Sequence, residues 1–143
     1  MGERLRVLVA DDESALRALI KTNLQFEGFD TLTASNGEEA LQVIRDEQPD
    51  IVLLDIMMPI MDGLTVLTEL AREEHRRTRV ILVTAKTSTE SQLQGWELGC
   101  DDYLTKPFDL DVLIERIRTV VERSQAENQE RRRAAIENLR LSS

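Results

Sequence analysis

The sequence predicts an α/β fold in which a parallel five-stranded sheet is joined by crossover helices, and three observations predict it. Five short β-rich runs alternate with amphipathic helical stretches, the pattern of strands linked by helices rather than by hairpins. Three of the runs are nearly all apolar, as strands covered on both faces are. Acids, a hydroxyl and an amine recur at the carboxyl ends of the runs, the edge where open α/β sheets bind ligands.

The first run, RVLVA at 6–10, leads through Asp11 and Asp12 into a helix from Glu13 to Phe26. Leu16, Leu19, Ile20 and Leu24 share one face of that helix, and Gly28 stops it. The second run, DTLTA at 30–34, alternates and therefore belongs at an edge of the sheet. Asn36 can cap a helix carrying Ala40, Leu41 and Ile44, which ends before Pro49. The third and fourth runs, IVLLD at 51–55 and VILVT at 80–84, are apolar enough to be central, together with the first. Between them Asp62 and Gly63 open a helix with Leu64, Leu67 and Leu70. Ser88 or Thr89 opens a fourth helix with Leu93 and Trp96, closed by Gly99. The fifth run is DYLT at 102–105, and Asp109 caps a fifth helix with Val112, Leu113, Ile117, Val120 and Val121 on its inner face.

A chain of 143 residues fits one domain, and at that size roughly two-thirds of the unfolded surface is buried without staples. We place the domain at 1–123. From 124 to 143 the apolar set thins to Ala134, Ala135, Ile136, Leu139 and Leu141, which reads as a helical extension of the fifth helix or a linker. The spacing of Ile114, Val121, Asn128 and Ala135 hints at a coiled-coil seam, although a frayed, solvated tail fits better. A net charge of −9 argues against direct nucleic-acid binding or attraction to anionic lipid. No apolar run reaches membrane-spanning length, the start does not read as a signal peptide, and one cysteine, Cys100, allows no internal disulfide. A cytoplasmic protein is expected.

The decisive pattern is positional. Asp11 and Asp12 follow the first strand, Asp55 ends the third, Thr84 ends the fourth and Lys106 follows the fifth. In a parallel sheet these ends share one rim. Carboxylates packed together repel, and a hard divalent cation reverses this by favouring ionisation. Oxygen ligands with room for water and phosphate suit Mg²⁺. Such a site has the parts for phosphoryl transfer: Asp55 as nucleophile, Lys106 as a mobile positive charge and Thr84 as hydroxyl donor.

VLVADDE, LLDIMMPIMDGL, ILVTA and GCDDYLTKPF, in that order across roughly residues 5–122, resemble the signature segments of bacterial response-regulator receiver domains. The resemblance implies a flavodoxin-like, doubly wound (βα)5 sheet of order 2-1-3-4-5. It implies that Asp55 is the phosphoacceptor, with a phosphohistidine on a sensor histidine kinase, or acetyl phosphate, as donor. The metal set it implies is Asp12, Asp55 and the Met57 backbone carbonyl, with Asp11 close by. It further implies a cis Lys106–Pro107 bond and a switch in which Thr84 turns toward the phosphoryl group and Tyr103 fills the space vacated. That switch would alter the face made by the fourth helix, fifth strand and fifth helix, to be read by a downstream effector domain or protein or by a second copy in a homodimer. Met57 and Lys86 stand where the family tunes phosphoryl lifetime. Such a protein is a phosphoacceptor that assists its own phosphorylation and slow autodephosphorylation, rather than an enzyme acting on other substrates.

Bland readings compete at each position. A DD pair at a helix start is ordinarily a cap, and Thr84 or Lys106 alone would be a strand residue and a surface amine. Asp55 is stronger, because a carboxylate after four apolar residues is costly without a partner. Tyr103 alone reads as a half-buried strand aromatic with its hydroxyl in water, Trp96 as core, Cys100 as an inert core residue, His75 as solvated. A Mg²⁺-dependent aspartyl-phosphate phosphatase is the alternative of another class, but it usually carries a second Asp two residues after the nucleophile, where this chain has Met57. A degenerate receiver that only binds partners would have lost Asp55, Lys106 or the acidic pair.

Overall fold

The computed structural model describes residues 4–73 and 77–142; the expectation for His75 falls outside them. Strands β1 (Arg6–Ala10), β2 (Asp30–Ala34), β3 (Ile51–Leu54), β4 (Arg79–Thr84) and β5 (Asp102–Thr105) form one sheet. Its order is β2-β1-β3-β4-β5 with all neighbours parallel, so β2 lies at an edge and the apolar runs are central. Between the strands run α1 (Ser14–Phe26), α2 (Gly37–Glu47), α3 (Gly63–Ala71) and α4 (Thr89–Glu97), followed by α5 (Leu110–Glu122) and α6 (Gln125–Ser142). This is the flavodoxin-like topology.

Strand alternation sorts the core into two layers. Leu8, Ala10, Val52, Leu54, Val80 and Leu82 face α2, α3 and α4, together with Trp96, Cys100 and Tyr103. Val7, Val9, Ile51, Leu53, Ile81 and Val83 face α1 and α5, through Ile20, Leu24, Leu113, Ile114, Ile117 and Val120. Trp96 and Cys100 are core residues, as expected. Local signals act where they were read: Asn36 accepts from the Glu39 N–H and Asp62 from the Thr65 N–H, each at 2.8 Å, and Ser88 caps α4.

Four readings are corrected. Leu19 is half exposed, lining an open groove with Leu16, Pro107 and Phe108, because Ile20 and Leu24 fill the helix–sheet contact. Asp109 occupies the cap position of α5 but makes no side-chain capping bond. Tyr103 is buried at 9 % exposure rather than half-buried, and its hydroxyl has a protein partner. Finally, within the segment expected at 124–143, the described residues do not prolong α5. Arg123 is extended at φ −75°, ψ 146°, and Ser124 starts a new helix through a reciprocal cap: its Oγ accepts from the Glu127 N–H while Glu127 Oε1 accepts from the Ser124 N–H, both at 3.1 Å. These bonds hold the Glu127 carboxyl below its usual pKa. The break removes the seam through Ile114 and Ala135, and α6 packs back on α4.

Candidate functional site

Main-chain hydrogen bonds place the site before any side chain does. Three of the four β-ladders extend one residue past a strand: the Asp11 N–H donates to Ala34 O, the Asp55 N–H to Ala10 O and the Lys106 N–H to Thr84 O, at 3.1, 3.0 and 2.9 Å. Three chemistry-bearing residues are thereby fixed at one rim by neighbouring strands, as the parallel order requires. The Lys106–Pro107 bond is cis. Gly63, at the start of α3, lies so close to the Asp55 carbonyl that any Cβ there would collide with it.

On this frame Asp11, Asp12 and Asp55 bring carboxylate oxygens within 4.8 Å of one another. Asp11 and Asp55 are buried and Asp12 is exposed. Lys106 Nζ donates to Asp11 Oδ2 at 2.7 Å and to Asp55 Oδ2 at 2.8 Å. The remaining oxygens of the two buried carboxylates accept backbone N–H groups, Asp11 Oδ1 from Glu13 and Asp55 Oδ1 from Met57. Burial pulls the Lys106 pKa down, but the hydrogen bonds and charges of Asp11 and Asp55 outweigh it, so the amine is held above its ordinary value and stays charged.

One ammonium answers three clustered carboxylates, an imbalance that a hard cation suits. The donor set is all oxygen, and among the described residues nothing donates to the Met57 carbonyl. Asp11, Asp12 and Asp55 could thus hold a hard cation such as Mg²⁺.

Thr84 and Tyr103 meet at a residue that the spacing did not single out structurally. Thr84 is fully buried and its Oγ1 accepts from the Lys86 N–H at 3.3 Å. The Tyr103 hydroxyl donates to the Lys86 carbonyl at 2.7 Å. Thus the peptide of residue 86, not its side chain, joins the two. Burial above all, with a smaller electrostatic push from Cys100 and Asp55, raises the Tyr103 phenol to about 12. Sequence reasoning also missed the acids of the lower rim. Asp101 accepts from the Val80 N–H and from Arg132 of α6, and Asp102 from Arg116 of α5; a DD pair at the start of β5 and the arginine run 131–133 were the available signals.

Fold and site together have the form of a receiver module: a β2-β1-β3-β4-β5 sheet with a lysine-bridged acidic rim. The chain belongs to the response regulator receiver domain family, whose family model matches residues 7–118. It is 43% identical over 123 residues to the probable transcriptional regulator ycf27 of Pyropia yezoensis, covering 86% of this chain and 50% of that protein. It is 39% identical over 120 residues to the alkaline phosphatase synthesis transcriptional regulatory protein PhoP of Bacillus subtilis, covering 84% and 50%. Among solved structures, the receiver domain of the Francisella response regulator 1452 superposes with a TM-score of 0.78 at 41% identity, covering 83% of this chain and 98% of that one. The chain spans about half the length of the curated relatives it matches.

Proposed function

We propose that this chain is a phosphorylation switch whose acceptor is Asp55. The single observation that carries the reading is the joint placement of Asp11, Asp12, Asp55 and Lys106 at one rim, with Lys106 bonded to both buried carboxylates. The body at 1–123 is the receiver, and α6 (Gln125–Ser142) is a helix appended to it.

In the reaction a carboxylate oxygen of Asp55 attacks phosphorus, and the bond from phosphorus to the donor breaks. The electron pair leaves with the imidazole of a sensor histidine kinase or with acetate from acetyl phosphate. Mg²⁺, when bound by Asp11, Asp12, Asp55 and the Met57 carbonyl, supplies positive charge to the phosphoryl oxygens. Lys106 supplies a second charge from a fixed position. The Met57 N–H orients the Asp55 carboxylate. No group here is a second carboxylate base two residues after Asp55, which favours a persistent acyl phosphate over rapid turnover. Autodephosphorylation is correspondingly slow.

Thr84 and Tyr103 are the switch pair, and the output runs through the face of α4, β5 and α5. A downstream effector domain or protein, or a second copy of the chain, reads it. The acidic balance leaves any DNA contact to another module, and a cytoplasmic setting follows from the kinase partnership; among the described residues no helix is long and apolar enough to cross a membrane.

Acetyl phosphate with Mg²⁺ is expected to add one phosphoryl group to the chain, read by intact mass, and none to Asp55→Asn or with the cation chelated. Undiminished uptake by Asp55→Asn would move the acceptor elsewhere.

A further inference from the structure

Helix α6 lies on the surface through which the proposed switch is read. Ala135, Ile136 and Leu139 pack against the layer that contains Trp96, Cys100 and Tyr103. Arg132 donates to the carbonyls of Cys100 and Gly99 at 2.9 and 3.2 Å and to Asp101 Oδ1 at 2.8 Å. Arg131 lies 3.5 Å from Asp102, and Arg140 lies 3.5 Å from Glu97 at the end of α4. One helix therefore covers α4, the turn after it and the start of β5.

The contacts beneath it run back to the site. Thr84 meets the peptide of Lys86, which meets the Tyr103 hydroxyl. The Tyr103 ring lies beside Gly95, where an added Cβ would come within 3.2 Å of it, and Gly95 adjoins Trp96 on α4. The Tyr103 ring therefore lies directly against the helix on which α6 rests.

The seat is also imperfect. The apolar side chains of α6 that pack there are only partly buried, and exposed ion pairs such as Arg140–Glu97 hold little. Around the hinge, Asn128 Oδ1, Arg131 Nε, Arg123 Nη1 and Arg79 Nε are buried and meet no hydrogen-bond partner among the described residues. Such a partly satisfied polar layer favours opening. The reciprocal cap of Ser124 and Glu127 is internal to α6 and survives its departure.

We propose that α6 is the resident ligand of the α4–β5 face, seated while Asp55 is unmodified and released when Asp55 is phosphorylated. Release uncovers the layer around Trp96 and strips Asp101 of Arg132, while Asp102 keeps Arg116. The partner that replaces α6 presents the same chemistry, a helix with arginines beside small aliphatic side chains. The proposal rests on the phosphoacceptor reading, and the test separates the two.

Trp96 is the only tryptophan and is 6 % exposed, so acrylamide quenching of the full chain reports on the cover. Deuterium uptake by residues 125–142 reports on α6 itself. After acetyl phosphate and Mg²⁺ treatment, with the added phosphoryl verified by mass, quenching is expected to rise and α6 exchange to accelerate by about tenfold or more. Arg132→Ala with Ile136→Asp is expected to reproduce both effects without phosphorylation, and Leu139→Ser alone to give a smaller shift in the same direction. A verified phosphoryl group with unchanged α6 exchange overturns the release, as does unchanged quenching in both variants. A missing mass gain strikes at the acceptor reading instead.

Discussion

At the scale of single residues, the site is governed by how few positive charges answer its carboxylates. Lys106 is bonded to Asp11 and Asp55, and the strong geometry of those bonds keeps it protonated in spite of burial. The positions of Asp55, Lys106 and the acidic pair were legible in the sequence because each follows a strand, and parallel strands bring their ends together. The environment of Tyr103 was not legible. Nothing in DYLT reveals that a loop carbonyl two residues past β4 captures the hydroxyl. A titration checks this. Tyr103 is the only tyrosine, and its phenolate absorbance should appear near pH 12 in the folded chain and near 10 in denaturant. Since the folded value is raised, the stability tied to this group is fully present below about pH 10 and declines as the pH climbs through the interval to the folded value. A folded midpoint near 10 would mean that the ring is solvated.

At the scale of elements, caps and periodicity were sufficient for five strands and five helices, and the sixth helix was missed. The reason is physical. Ser124-Gln-Ala-Glu127 consists of residues a helix tolerates in its interior, so the sequence was read straight through, whereas S-x-x-E is equally a capping box. In the fold Arg123 turns away from α5 and the box takes effect. The start of α3 carries a tighter constraint. Gly63→Ala would press a methyl against the Asp55 carbonyl, so we expect a loss of about 1–3 kcal/mol, read as a lower denaturant midpoint. Slower phosphoryl uptake should accompany it, because the displaced backbone is that of Asp55, the proposed acceptor. Wild-type values on both measurements would show that the approach of α3 to Asp55 is not needed.

At the scale of the whole molecule, β1, β3 and β4 are sandwiched between two apolar layers, whereas α6 rests on one layer through partly exposed side chains. Local opening follows such differences in burial. Native-state hydrogen exchange should therefore place the amides of Val7–Val9, Val52–Leu54 and Ile81–Val83 in the slowest class, opening only with global unfolding. Those of α6 should exchange well before them. Equal protection throughout would make the chain one cooperative unit and leave α6 no independent movement. The two-layer core was legible from the apolar runs. The docking of α6 was not, because it depends on Asp101 and Asp102 meeting arginines some thirty residues away.

The joint at position 86 has a consequence for which substitutions the proposed switch tolerates. Thr84 and Tyr103 are connected through an amide proton and a carbonyl oxygen, groups that the backbone provides whatever the side chain. Natural or engineered replacements at this exposed position should leave the linkage intact, with one exception. Proline has no amide proton, so Lys86→Pro is expected to uncouple the two: phosphoryl uptake at Asp55 would persist while Trp96 fluorescence ceased to respond to it.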